Sequence, residues 1–150
     1  MYIVEQRGAD LLNQALALRV MNESGVDASH LERLFEASKH RQIILANTEN
    51  GEPLASLGFA KISKYTLRLI AANPSHKLRP YEYHEGKILY VVDGFFKKNG
   101  FRKSLSVLSK ELKKYRVIAY VRRDRLKIFY YNNGVLRGIM PQSLLETIRD

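Results

Sequence analysis

Cysteine is missing from this 150-residue chain, which excludes disulfides, thiolate catalysis and cysteine-bound metal and suits a reducing, cytoplasmic setting. The first residues lack a basic stretch followed by an apolar core, so no signal peptide is expected. No window approaches the ~20 apolar residues of a membrane-spanning helix. A Gly-x-Ser-x-Gly elbow is also absent, which leaves serine-hydrolase chemistry without support. The four histidines, His30, His40, His76 and His84, show no i, i+4 pairing, and no metal site is assigned. There is no internal repeat, low-complexity run or interdomain linker. With 45% apolar residues, the span 1–150 reads as a single domain able to bury its own core.

Acids are scarce in one region. Between Lys97 and Lys127 twelve Lys/Arg stand against two acids, Glu111 and Asp124, which accounts for the whole formal charge of +10. A localised basic stripe predicts a face that attracts an anionic macromolecule: nucleic acid, an acidic membrane or an acidic protein. Phe95, Phe96, Tyr120, Phe129, Tyr130 and Tyr131 interleave with these cations. Aromatics among cations can form stacking platforms. Their strand-like spacing reads instead as core or sheet surface, and no RNA- or DNA-binding motif accompanies them, so nucleic acid is not the favoured partner.

A short strand is expected over Met1–Gln6. From Asp10, whose carboxylate can cap it, Leu12, Leu16 and Val20 recur at i, i+4 and i+8 beside Leu11, Ala15 and Leu18, predicting a helix. After Asn22–Asp27 a second helix opens at Ser29-His30-Leu31-Glu32, the capping-box spacing of Ser and Glu. Gln42–Asn47 and Pro53–Ser63 read as strands joined by a Gly-containing hairpin, and Tyr65–Ala71 as a continuation of the sheet. A polar loop over Asn73–Glu85 precedes a strand at Lys87–Val92. A helix over Phe101–Lys114 follows, with Phe101, Leu105, Leu108 and Leu112 as its apolar stripe. Strands are expected at Val117–Val121, from Leu126 to Tyr131, and at Val135–Met140 after an Asn-Asn-Gly turn, with a helical turn at Ser143–Arg149.

The stretch Leu78–Asp93 sets an aromatic loop against a buried strand ending on a carboxylate, a place where α/β folds often open into a cleft. It resembles the signature of the toxin-activating lysine-acyltransferases, which acylate lysines of pore-forming RTX toxins from acyl-acyl carrier protein. The residues that carry the likeness are Leu78, Pro80, Tyr83, Gly86 and Asp93, within a similarity running from about Gln42 to Asp124. Tyr83 and Tyr90 stand where the family commonly has Trp. Phe95-Phe96-Lys97-Lys98-Asn99-Gly100 replaces its usual Ala-Pro-Phe-Gly run. The resemblance implies an acetyltransferase-like (GNAT) α/β fold with a mixed, mostly antiparallel central sheet flanked by helices; the element order β-α-α-β-β-β-α-β-β is similar to that fold. It further implies transfer of a fatty acyl group from the phosphopantetheine thioester of an acyl carrier protein to a lysine of a partner protein, with no tightly bound cofactor.

His30 and Asp93 are the catalytic candidates. The family carries an essential His near a helix start, and His30 occupies that place. If Ser29 caps the helix, His30 lies at its positive dipole end, which favours the uncharged imidazole a general base requires. Asp93 would orient it, with His84 the second choice. Lys97, Lys98, Gly100 and Arg102 are the donor-binding candidates. They partly match the pyrophosphate loop of acetyl-CoA-dependent enzymes, but Arg102 replaces its final small residue. Two other classes stay open: an acetyl-CoA-dependent GNAT acetyltransferase, and an inactive module of that fold binding nucleic acid or an acidic protein. Homodimerisation is likewise open.

Overall fold

The computed structural model describes residues 8–22, 25–132 and 134–139, so the strand expected over 1–6 and the turn over 143–149 lie outside it. The helices are α1 (Gly8–Met21), α2 (Ala28–Lys39), α3 (Lys64–Ala72) and α4 (Phe101–Leu112). The strands are β1 (Ile43–Asn47), β2 (Pro53–Ile62), β3 (Ile88–Phe96), β4 (Val117–Arg122), β5 (Arg125–Asn132) and β6 (Val135–Ile139). The six strands are hydrogen-bonded in chain order. The pairs β1–β2, β4–β5 and β5–β6 are antiparallel and β3–β4 is parallel. The protein is therefore mixed α/β, with a mixed sheet flanked by helices. No described helix is long and apolar enough to cross a membrane.

The chain gathers into two units, one comprising the described residues up to Phe59 with Val92–Glu111, the other Ala60–Val91 with the described residues from Leu112. In the first, α1 and α2 pack on each other and on β1. The buried face of α1 is Leu11, Ala15, Leu18 and Arg19, while Val20, expected on the apolar stripe, is 66% exposed. The buried row lies one residue round from the expected one and includes Arg19, whose partner is described below. Gly8 starts it where a Cβ would fall 2.2 Å from the Ser38 carbonyl oxygen. Asp27, not Ser29, caps α2. The expected face of α4 also moved: Ser104, Val107 and Leu108 are buried, and Phe101 and Leu105 are exposed at 52% and 44%. Val107 packs on Ala46 and Ala55 of the sheet with Phe96 alongside. Such close approach suits the small Ser104, whose hydroxyl donates to the Phe101 carbonyl at 2.9 Å and is thereby satisfied.

In the second unit, the segment 65–71 is helical rather than sheet. Ser63 caps α3 by accepting from the Thr66 amide at 3.1 Å, and Leu67 and Ile70 turn inward at helical spacing. A 3-10 turn, Pro80–Tyr83, interrupts the expected loop. The amides of Glu85 and Gly86 both donate to the Lys61 carbonyl at 3.0 Å, and the Glu85 carboxylate accepts from Ser63 and Thr66. The β4–β5 hairpin closes through Arg123 and Asp124, both left-handed at φ 51° and 59°, and α3 packs against β5.

Candidate functional site

Asp93 was expected to end its strand. Instead β3 continues through Gly94 to Phe96, so Asp93 sits inside the strand and is 6% exposed. An ionised carboxylate there must be paired. Arg19, in the last turn of α1 and 5% exposed, supplies the pairing: its Nη2 donates to Asp93 Oδ1 at 2.7 Å and to Oδ2 at 2.6 Å. The guanidinium also lies 5.1 Å from the centroid of the Phe95 ring, a cation–π distance. Gly58 leaves room beside the carboxylate, since a Cβ there would fall 3.7 Å from Asp93 Cβ and 3.3 Å from Leu34 Cδ2. With both oxygens bound to one arginine, Asp93 serves as an anchor and acceptor rather than a proton carrier.

His30 meets a different acid. It is the third residue of α2, where its amide donates to Asp27 Oδ1 at 2.8 Å and its Nδ1 accepts the Asp27 amide at 3.4 Å, a reciprocal capping box. His30 Nδ1 also lies 3.2 Å from Asp27 Oδ1. The two Nδ1 contacts require opposite tautomers, and only the one with the proton on Nδ1 leaves Nε2 basic. Asp27 titrates below the ordinary carboxylate range, first because the His30 amide donates to it and then through the nearby His30 and Arg33 charges. The hydrogen bonds among the described residues thus join His30 to Asp27 and Asp93 to Arg19, where the sequence suggested His30 with Asp93.

The donor-binding candidates divide. Lys97 is ion-paired with Glu52 and its amide donates to the Leu54 carbonyl at 2.8 Å. A Cβ at Gly100 would stand 2.9 Å from the carbonyl oxygens of both Leu54 and Lys97, so backbone packing alone accounts for the glycine. Asn99 precedes it in the left-handed region at φ 63°. Lys98 and Arg102 are exposed.

Sequence reading missed two partners. Arg19 was legible only as a cation four residues beyond Ala15 and one beyond Leu18 on what proved the buried face. His76 was given no role; its Nε2 lies 2.9 Å from Glu82 Oε2, with Glu82 buried, and the pair pins the loop ahead of β3. The signature residues of the second unit have packing roles: Pro80 begins the 3-10 turn, Tyr83 is buried, and a Cβ at Gly86 would strike the Ile62 carbonyl oxygen at 2.0 Å. No protein-family model matches the chain, and no curated protein is significantly similar to it in sequence. The resemblance to the toxin acyltransferases stands on the residues quoted for it.

Proposed function

We propose that this chain is a protein-lysine acyltransferase that takes a fatty acyl group from an acyl carrier protein. The reading is supported by the signature residues between Leu78 and Asp93 and, separately, by a histidine at a helix start whose Nδ1 lies 3.2 Å from a carboxylate oxygen. A lysine ammonium with a pKa of ~10.4 must lose a proton before it attacks. The ammonium first releases one proton to solvent, and His30 Nε2, with Asp27 holding Nδ1, takes a second from the nitrogen as the neutral amine attacks the thioester carbonyl. Collapse of the tetrahedral intermediate forms the amide and expels the phosphopantetheine thiolate, which recovers the proton from His30. Asp93 acts at one remove: through Arg19 it ties α1 to β3, and α1 leads into the segment that presents His30. The exposed Lys98, Arg102 and Lys103 supply positive charge for an acidic carrier.

The test is to incubate the protein with acyl carrier protein loaded with a panel of acyl chains and with the product of the neighbouring gene. Mass spectrometry then follows carrier discharge and lysine acylation. Discharge by the wild type, lost in His30→Ala and Asp93→Asn with the double variant little worse than either, supports the reading. No discharge of any loaded carrier, or full activity in His30→Ala, rejects it. Consumption of acetyl-CoA in its place moves the chain to the acetyltransferase class.

A further inference from the structure

The β4–β5–β6 part of the second unit carries a surface that the acyl-transfer reading does not use. Cross-strand partners share a sheet face, and the register pairs Arg122 with Arg125, Tyr120 with Lys127, Phe129 with Gly138 and Tyr131 with Leu136. One face therefore carries, from hairpin tip towards base, two arginines, a tyrosine beside a lysine, a phenylalanine beside the buried Ile118, and a second tyrosine. Arg122, Arg125, Lys127 and Leu136 are exposed, while Tyr120, Phe129 and Tyr131 are half-buried. The Tyr120 and Phe129 rings stack at 7° with centroids 5.8 Å apart. Gly138 lets Phe129 lie over the neighbouring strand, since a Cβ there would stand 3.3 Å from the Phe129 ring. On the opposite face Val117, Ala119, Leu126 and Ile128 are buried.

Two features of the tip work against stability. Arg122 and Arg125 are like charges placed directly opposite, and Arg123 adopts a left-handed φ of 51° that non-glycine residues avoid. A two-residue hairpin loop asks for positive φ at both positions, where Asn or Gly is the usual choice. From Lys113 to Arg137 the sequence has eight Lys/Arg and one acid, Asp124.

We propose that this face binds single-stranded nucleic acid, with bases stacked on Tyr120, Phe129 and Tyr131 and phosphates met by Arg122, Arg123, Arg125 and Lys127. Cations alone would fit any polyanion; the aromatic row between them selects unpaired bases, which every base offers as a π-face. An acidic protein would match the charge but would leave the stacked rings without a flat partner. The inference is independent of the acyltransferase reading, because none of these residues belongs to that site.

The test is fluorescence anisotropy of the full chain with a labelled oligouridylate of about 16 nucleotides, within the site sizes of stacking folds, against a duplex of the same length. Single-strand preference is expected, with affinity falling as salt rises. Tyr120→Ala should weaken single-strand binding roughly five- to hundredfold. Arg125→Glu with Lys127→Glu should abolish it at moderate salt. Arg123→Asn, which relaxes the turn, should weaken binding while keeping or raising the melting temperature, and so decides the matter if another variant fails to fold. Absence of binding overturns the proposal. So do equal binding of duplex with Tyr120→Ala unaffected, and capture of an acidic carrier protein at this face without oligonucleotide binding.

Discussion

Arg19 and Arg125 take the same guanidinium into opposite surroundings. Arg19 lies on the buried stripe of α1, both its acceptors being oxygens of one carboxylate inside a strand. Arg125 stands exposed at a hairpin, opposite another arginine. In the first unit a cation makes a buried acid tolerable; in the second, Arg122 and Arg125 stand directly opposite each other on paired strands. Arginine content alone says nothing about either role. The distinction is whether a charge is consumed inside the fold or left available to something else, and that depends on the partner rather than the residue.

The sharpest way to break the comparison is to remove one half of the buried pair. Arg19→Ala leaves the Asp93 carboxylate uncompensated and should cost ~3–5 kcal/mol, whereas replacing both, as Arg19→Met with Asp93→Leu, should be near neutral or better. Urea unfolding of the two variants beside the wild type measures this. A cost under ~1 kcal/mol for Arg19→Ala would mean the pair behaves like a surface contact.

A smaller and opposite effect is expected at the hairpin. Arg123→Asn should stabilise by ~1 kcal/mol, since Asn accepts the left-handed region that Arg resists; a thermal melt showing destabilisation would mean the arginine makes a native contact worth more than its strain. The smallest effect concerns Asp27, the exposed counterpart of Asp93. Its carboxyl is held below the ordinary range by the His30 amide, so its stabilisation is complete above the unfolded value of ~3.9 and fades as pH falls through the folded one. Asp27→Ala should therefore lower the melting temperature at neutral pH and make little difference in strong acid. An equal deficit at both pH values would show that the cap works through geometry alone.

Local signals were legible where neighbours in sequence are also neighbours in space. The Thr48–Glu52 turn, with its amide-to-carbonyl bond at 2.8 Å, the β1–β2 and β5–β6 hairpins, and the existence of α1, α2 and α4 follow from turn residues and apolar periodicity. Tyr65–Ala71 was misread because a short apolar run satisfies both periods, and Ser63 as a cap was the deciding clue. The faces of α1 and α4 were each misplaced, since three apolar rows lay close together and the row that faces inward is set by what it meets.

Composition and residue patterning by themselves determined the mixed α/β character, the missing thiol chemistry and the basic region from Lys97 to Lys127; His30 and Asp93 became candidates through the family resemblance, with the helix-start and strand-end arguments beside it. Tertiary structure alone decided that Asp93 belongs to Arg19, 74 residues away, whereas His30 and Asp27 meet through a local capping box three residues apart. It also decided that Tyr120 stacks on Phe129 beside Lys127 rather than filling a core. The reason is physical: helix and turn propensities act over a few residues, but a buried charge is settled by whichever opposite charge the packed chain brings within hydrogen-bonding reach.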